Sequence, residues 1–214
     1  MFDLSSKKVI DLTMSISMEM PGVDITTAKD LLIDGWNATN LHLYSHSGTH
    51  MDAPVHFGVN SVTIDQIESE RFISEAWIVD LTHLENKALI GVEDMKPIKD
   101  KIKKGQSLLL KTGWSKKVNT PAYRDELPRI STELAEWLGE KQVNILGVEP
   151  PSVADVNTLD EVTSIHTILM SHDIVIVEGL TNLDMITKEK VLLIAFPIKV
   201  KNGDGAPARV LAIE

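Results

Sequence analysis

The stretch His46-Ser47-Gly48-Thr49-His50-Met51-Asp52-Ala53-Pro54-Val55-His56 gathers three of the chain's seven histidines and one aspartate around small residues. Imidazole nitrogen and carboxylate oxygen are the donors that zinc and manganese accept, and Gly48 and Pro54 shape an irregular backbone that can aim several side chains at one point. His46 and His50 are four residues apart, as on a metal-binding helix, yet Gly48 between them and Pro54 beyond them oppose a regular helix. An extended or turning backbone instead puts His50 and Asp52 on the same side, and Pro54 turns the chain before His56. A lone histidine would be read as a packing or surface residue. Three imidazoles and a carboxylate in so short a segment point to a metal site.

A second donor set is expected from 159–178. Leu159, Val162, His166 and Leu169 recur at helical spacing, so His166 points with apolar side chains toward the core, either as a further ligand or as a satisfied core histidine. Ile174, Ile176 and Glu178 share a strand face. A carboxylate closing an apolar strand needs a cation or strong donors to offset its desolvation, so Glu178 either meets a metal or serves in a salt bridge or cap beside Gly179. His42, His83 and His172 carry no comparable pattern and are read as surface or packing residues, although His42 shares a strand face with His46.

The elements that must hold these groups follow from the apolar pattern. Strands are expected at 76–81, 107–111, 143–148, 174–177, 191–195 and 209–213, as short apolar runs suited to sheets covered on both faces. The spacing predicts a helix over 92–104 stopped by Gly105, and another presenting Ile130, Leu134, Trp137 and Leu138 on one face. Near the N-terminus Leu41 and Leu43 alternate with His42 and Tyr44, which is strand-like, and His46 leads from that strand into a loop.

With 214 residues, 43% of them hydrophobic and 24% charged, and no repeat or linker, the chain reads as one α/β domain over 1–214. The 31 acidic against 21 basic residues give a formal charge of −10, which argues against nucleic acid and anionic membrane surfaces as partners and leaves a small molecule as the expected substrate. The absence of cysteine excludes a disulfide framework, thiolate ligands and a cysteine nucleophile, and suits a cytoplasmic protein. Met1 to Leu12 shows no secretory pattern, and no apolar run is long enough to cross a bilayer. There is no Gly-x-Ser-x-Gly elbow, Walker loop or Gly-x-Gly-x-x-Gly fingerprint.

The segment 46–56 resembles the His-x-Gly-Thr-His-x-Asp-x-Pro-x-His signature of the cyclase-like metal-dependent hydrolase family, which includes bacterial kynurenine formamidase and isatin hydrolase; His46, Gly48, Thr49, His50, Asp52, Pro54 and His56 match each fixed position. The resemblance extends through Gly147-Val148-Glu149-Pro150-Pro151-Ser152-Val153, His166 to Leu180, and Gly203-Asp204-Gly205-Ala206-Pro207-Ala208-Arg209. It implies a swivelling β/β/α fold and a homodimer or homotetramer whose subunits contribute to one another's pockets. It also implies that His46, His50 and Asp52 bind a first divalent metal, zinc or manganese. His166 and Glu178 would complete a site of one or two ions, with Asp52 and Glu178 as possible bridges, and His56 would donate and accept protons. Thr49 or Glu149 would orient these groups from behind.

Two departures bear on the substrate. Met18-Glu19-Met20 precedes the Pro21-Gly22-Val23-Asp24 turn where formamidases of the family carry a tryptophan, and Glu149 stands where aspartate is frequent. The expected activity is hydrolysis of a small amide, an N-formyl aryl amide first of all, as in an arylformamidase. The rival within enzymes is opening of a cyclic amide or lactone. From another class comes a non-catalytic, metal-stabilised binding protein.

Overall fold

A computed structural model describes residues 6–214. In chain order its elements are β1 (Val9–Asp11), β2 (Val23–Lys29), α1 (Leu31–Asp34), β3 (Ala38–Leu43), β4 (His50–Asp52), β5 (Ile73–Asp80), β6 (Leu89–Ile90), β7 (Ser107–Lys111), α2 (Pro121–Asp125), β8 (Arg129–Ile130), α3 (Thr132–Glu140), β9 (Ile145–Val148), α4 (Leu159–Ser171), β10 (Val175–Glu178), β11 (Lys190–Pro197) and β12 (Gly205–Ile213). The main sheet runs β1-β12-β11-β5-β7-β9-β10-β4, and β12 also pairs with β4. Seven strands thereby close into a barrel, with β1 attached to the outer end of β12. Strands β5, β7, β9 and β10 are parallel, and the pairings through β11, β12 and β4 are antiparallel.

The apolar runs become strands because both of their faces are buried. Leu108, Leu110, Leu146, Val148 and Ile176 pack against Leu134 and Leu138 of α3 and Ile165 and Leu169 of α4. Their neighbours of opposite parity, Leu109, Ile145, Val175 and Val177, pack with Val191, Leu193, Ala76, Ala206 and Ala212. The helices occupy the first side, so the second is the barrel interior, where small residues suit the narrow space inside seven strands. Each large apolar side chain fully buried in this way stabilises the fold by roughly 1.5–3 kcal/mol.

Several expectations need correction. The segment 92–104 is not a continuous helix: Val92–Met95 forms a 3₁₀ turn and 96–101 a run of turns, because Pro97 has no N–H to donate and interrupts the ladder. Gly105, with φ +78°, still ends the segment. Ile130 lies in β8, paired parallel with β6, and α3 begins only after Ser131, whose side chain accepts from the Leu134 N–H. Leu159 starts α4 with its side chain exposed, while His166 and Leu169 are buried. The strands expected at 143–148 and 174–177 form at Ile145–Val148 and Val175–Glu178, and that at 209–213 begins earlier, at Gly205. β2 and β3 form a separate antiparallel hairpin with α1 at its tip, and Leu32, Ile33 and Leu41 are exposed on it.

Two segments of the barrel wall that carry the candidate ligands touch at Gly179. It has φ +68°, its N–H bonds the Pro150 carbonyl at 2.9 Å, and a Cβ there would collide with the carbonyl of Gly48. Gly179→Ala is expected to destabilise the protein by at least about 2 kcal/mol, from the left-handed backbone and the collision together. Denaturant unfolding of the variant and the parent protein measures this; a difference below roughly 0.5 kcal/mol would show that the contact relaxes freely.

Candidate metal centre

The pairing of β4 with β10 sets Glu178 opposite His50. Strand alternation sends Met51 into the barrel interior and puts His50 and Asp52 together on the other side, facing α4. α4 supplies His166 from its buried face. His50 Nε2 lies 3.2 Å from Glu178 Oε2 and 3.7 Å from Asp52 Oδ1, and His166 Nε2 lies 3.3 Å from Glu178 Oε1 and 3.7 Å from Asp52 Oδ2. All four side chains are at most 5% exposed.

The outer nitrogens settle which atoms face inward. His50 Nδ1 is 3.0 Å from the Gly48 carbonyl and His166 Nδ1 is 2.7 Å from the Val162 carbonyl. A carbonyl only accepts, so both rings donate Nδ1–H outward and turn Nε2 toward Asp52 and Glu178. Two carboxylates in so dry a space call for positive charge at its centre, which a proton on each Nε2 supplies and which a metal ion bound by the Nε2 lone pairs would supply in its place. Burial alone would push the pKa values of His50 and His166 down, but Glu178 and Asp52 outweigh it and raise both. Burial alone would raise Glu178, and the two imidazoles instead hold it well below the usual carboxylate range. The donor types, the outward Nδ1–H bonds and the pull of the two carboxylates on positive charge all fit a divalent ion.

His46 and His56 stand on the outer side of Asp52. His46 reaches Asp52 Oδ1 through Nδ1 at 2.9 Å and Asp204 Oδ2 through Nε2 at 3.0 Å. Burial disfavours its charged form, yet these two carboxylates raise its pKa to about 9. His56, in the 3₁₀ turn Pro54–Phe57, stacks on His46 with centroids 4.0 Å apart, and burial pushes its pKa below the ordinary imidazole value against the pull of Asp52. Among the described residues two groups therefore have ligand atoms within 4.8 Å of one another, His50 with Asp52 and Glu178, and His46 with Asp52 and His56. Asp52 belongs to both.

Thr49 and Glu149 are placed differently from these. Thr49 Oγ1 donates to the Gly179 carbonyl at 2.5 Å and accepts from the Met14 N–H at 2.8 Å, tying β4 to the end of β10 and to the N-terminal segment. The Glu149 carboxylate turns toward the loop after β7, accepting from Thr112 N–H at 2.7 Å, Trp114 N–H at 3.3 Å and Ser115 Oγ at 2.7 Å. That loop leads to Val118, Thr120 and Tyr123, which line a cavity of about 510 Å³ over the donors. Met20 lines the same cavity, and its aromatic walls are Tyr44, Phe57 and Tyr123. The Phe57 ring stacks on His166 with centroids 4.4 Å apart.

Asp204 and Tyr123 were not legible as site residues from spacing. Asp204 lies 152 positions beyond Asp52 in the sequence and reaches the site only through the β4–β12 pairing. Its one signal was the Gly203-Asp204-Gly205 stretch. Tyr123 donates its hydroxyl to the Glu149 carbonyl at 3.0 Å, and nothing in its local sequence marks it.

Glu149→Gln replaces an acceptor of several N–H and O–H groups by a side chain whose amide must face some of those donors. The expected cost is about 2–3 kcal/mol of stability and a raised KM, because the cavity wall loosens, while bound metal is retained. Unfolding and steady-state kinetics on the same preparation check this, and an unchanged KM would disconnect Glu149 from the cavity.

Among known proteins, the family model described as "Putative cyclase" matches residues 10–155. Kynurenine formamidase from Bacillus thuringiensis subsp. konkukian (strain 97-27) is 30% identical over 175 residues, spanning 82% of this chain and 79% of that protein. The Bacillus anthracis kynurenine formamidase matches with the same identity and coverage. Among solved structures, isatin hydrolase A from Ralstonia solanacearum superposes with a TM-score of 0.87 at 26% identity, covering 97% of this chain and 92% of that one. The structure of predicted metal-dependent hydrolase from Bacillus stearothermophilus gives 0.78 at 26% identity, covering 98% and 99%. With its sheet order, its barrel closure and these matches, the chain belongs to the cyclase family.

Proposed function

We propose that this protein is a metal-dependent hydrolase of small amides, with an N-formyl aryl amide such as N-formylkynurenine as its substrate. The observation that carries this is the convergence of the His50 and His166 Nε2 atoms on the carboxylates of Asp52 and Glu178 beneath an open cavity. His46, His50, Asp52, His166 and Glu178 would hold a zinc or manganese ion, as one ion or two, and such an ion would supply a water acidified to a pKa of about 7 and a Lewis acid for the substrate carbonyl. His56 lines the cavity and is the group to take a proton from the attacking water and return it to the leaving nitrogen. Phe57, Tyr44 and Tyr123 offer faces for an aryl ring, and the apolar wall limits the water around the reacting amide. The formamidase relatives support this choice of substrate.

A second reading, opening of a cyclic amide, is favoured by the likeness to isatin hydrolase A and by Met20 in place of an aromatic residue in the N-terminal loop. A closed, non-catalytic metal site fits less well, because the donors form the floor of a cavity able to admit a small molecule. We read residues 1–214 as one domain of a cytoplasmic enzyme. Among the described residues, no helix is long and apolar enough to cross a membrane. We also read it as a homodimer or homotetramer, supported by Leu32 and Ile33 exposed at the hairpin tip. Sedimentation as a monomer at micromolar concentration would remove that last reading.

Protein purified without chelator is expected to carry zinc or manganese, to lose turnover on dialysis against chelator, and to regain it when the metal is restored. His56→Ala is expected to keep its metal and its unfolding temperature while kcat on an N-formyl aryl amide falls by roughly 10²-fold or more. Full turnover in a metal-replete His56→Ala protein would reject the role of His56. In a panel of formamides, cyclic imides and lactones, turnover confined to the cyclic compounds would replace the first substrate reading with the second.

A further inference from the structure

Where β12 closes the barrel, its first residues lie directly against the site. Gly205 pairs with Asp52, and the carbonyl of Asp204 accepts the Ala53 N–H at 2.9 Å, so the backbone on either side of this point is held by β4 and its continuation. A Cβ on Gly205 would come within 2.7 Å of His46 Cε1 and 2.8 Å of the Met51 carbonyl oxygen. The His46 ring therefore rests on bare backbone. It is clamped edge to edge between two carboxylates, Asp52 at Nδ1 and Asp204 at Nε2.

The Asp204 oxygen that meets His46 Nε2 is also 3.4 Å from His56 Nδ1. One carboxylate oxygen has lone pairs for both imidazoles, and the two rings stack with an interplanar angle of 26°. If Asp204 takes Nε2–H of His46, the Nδ1 of that ring is left as a donor atom on the Asp52 side. If it takes Nδ1–H of His56, the Nε2 of that ring is left as the proton-accepting atom. Resting on the hydrolase function above, we propose that Asp204 is a positioning residue that fixes the tautomer and orientation of both His46 and His56, coupling a metal ligand to the proton carrier through one oxygen.

The Asp204 side chain is 47% exposed, so its removal opens no core cavity and the variants are expected to unfold within a few degrees of the parent protein. The test uses full-length protein stripped of metal and titrated with Co²⁺, followed by visible absorption, for the parent, Asp204→Ala and Asp204→Asn; kcat and KM are then measured at saturating Co²⁺. Asp204→Ala is expected to weaken Co²⁺ binding by about 10–100-fold and to lower kcat by about 10-fold or more, with KM within twofold. Asp204→Asn keeps an acceptor oxygen without the charge and is expected to fall between them, and it serves as the test protein should the alanine variant fold poorly. Unchanged Co²⁺ affinity and kcat in both variants would overturn the proposal. Weakened affinity with full kcat at saturation would remove its His56 half. A parent protein that binds no Co²⁺ would instead sink the metal-dependent reading itself, a result distinct from parent and variants binding alike.

Discussion

Asp52 and Glu178 are buried carboxylates whose oxygens approach the same two imidazoles, and charges withdrawn from water in this way require positive charge close by. Most of the local architecture answers that constraint. The outward Nδ1–H bonds to the Gly48 and Val162 carbonyls are affordable only because His50 follows a turn and His166 sits one helical turn after Val162. These bonds hold the rings so that their free nitrogens face inward, where a cation meets them without rearrangement.

Barrel closure is what brings the two carboxylates together. β4 is only three residues long, yet it pairs with β10 on one side and β12 on the other, and each pairing delivers a side chain to the site. β10 ends at Glu178 and is followed at once by Gly179, whose missing Cβ lets the chain pass against Gly48. β12 brings Asp204 alongside Asp52 and leaves room at Gly205 for the His46 ring. The interior alanines Ala76, Ala206 and Ala212 let seven strands close with so little space inside. Site geometry and barrel packing are therefore one problem. A change that shifted the register of β4 by a single residue would turn His50 and Asp52 into the apolar interior.

What was legible in the sequence is what local physics determines. The ligand-rich segment shows itself by composition, and the buried strands by uninterrupted apolar runs, since a strand covered on both faces has no polar alternation to hide it. The segment 92–104 misled because its helical spacing is real, while Pro97 removes the donor the helix needs. Ile130 fell on the apolar stripe of α3 by parity but is held in β8 by the pairing with β6, a long-range contact with no local mark. The same limit hid Asp204 and the direction of Glu149. A carboxylate's address depends on which distant backbone N–H groups are gathered around it, and for Glu149 these lie on the loop after β7.

The acidic and imidazole groups fall into two sets divided at Asp52. The inner set, His50, His166 and Glu178, is almost fully dry and locked by backbone hydrogen bonds, including that from the Val153 N–H to Glu178 at 2.8 Å. The outer set becomes progressively wetter, from His46 at 9% to His56 at 25% and Asp204 at 47% side-chain exposure. Tight binding of an ion gains from dryness and rigidity, because ordering is completed on folding and the low dielectric strengthens each contact. A proton carrier has the opposite need, since it must exchange with solvent between turnovers. His56 stands one stacked ring away from the inner donors, at the wetter side of this gradient and against the cavity, a placement that suits the proton-carrying role proposed for it.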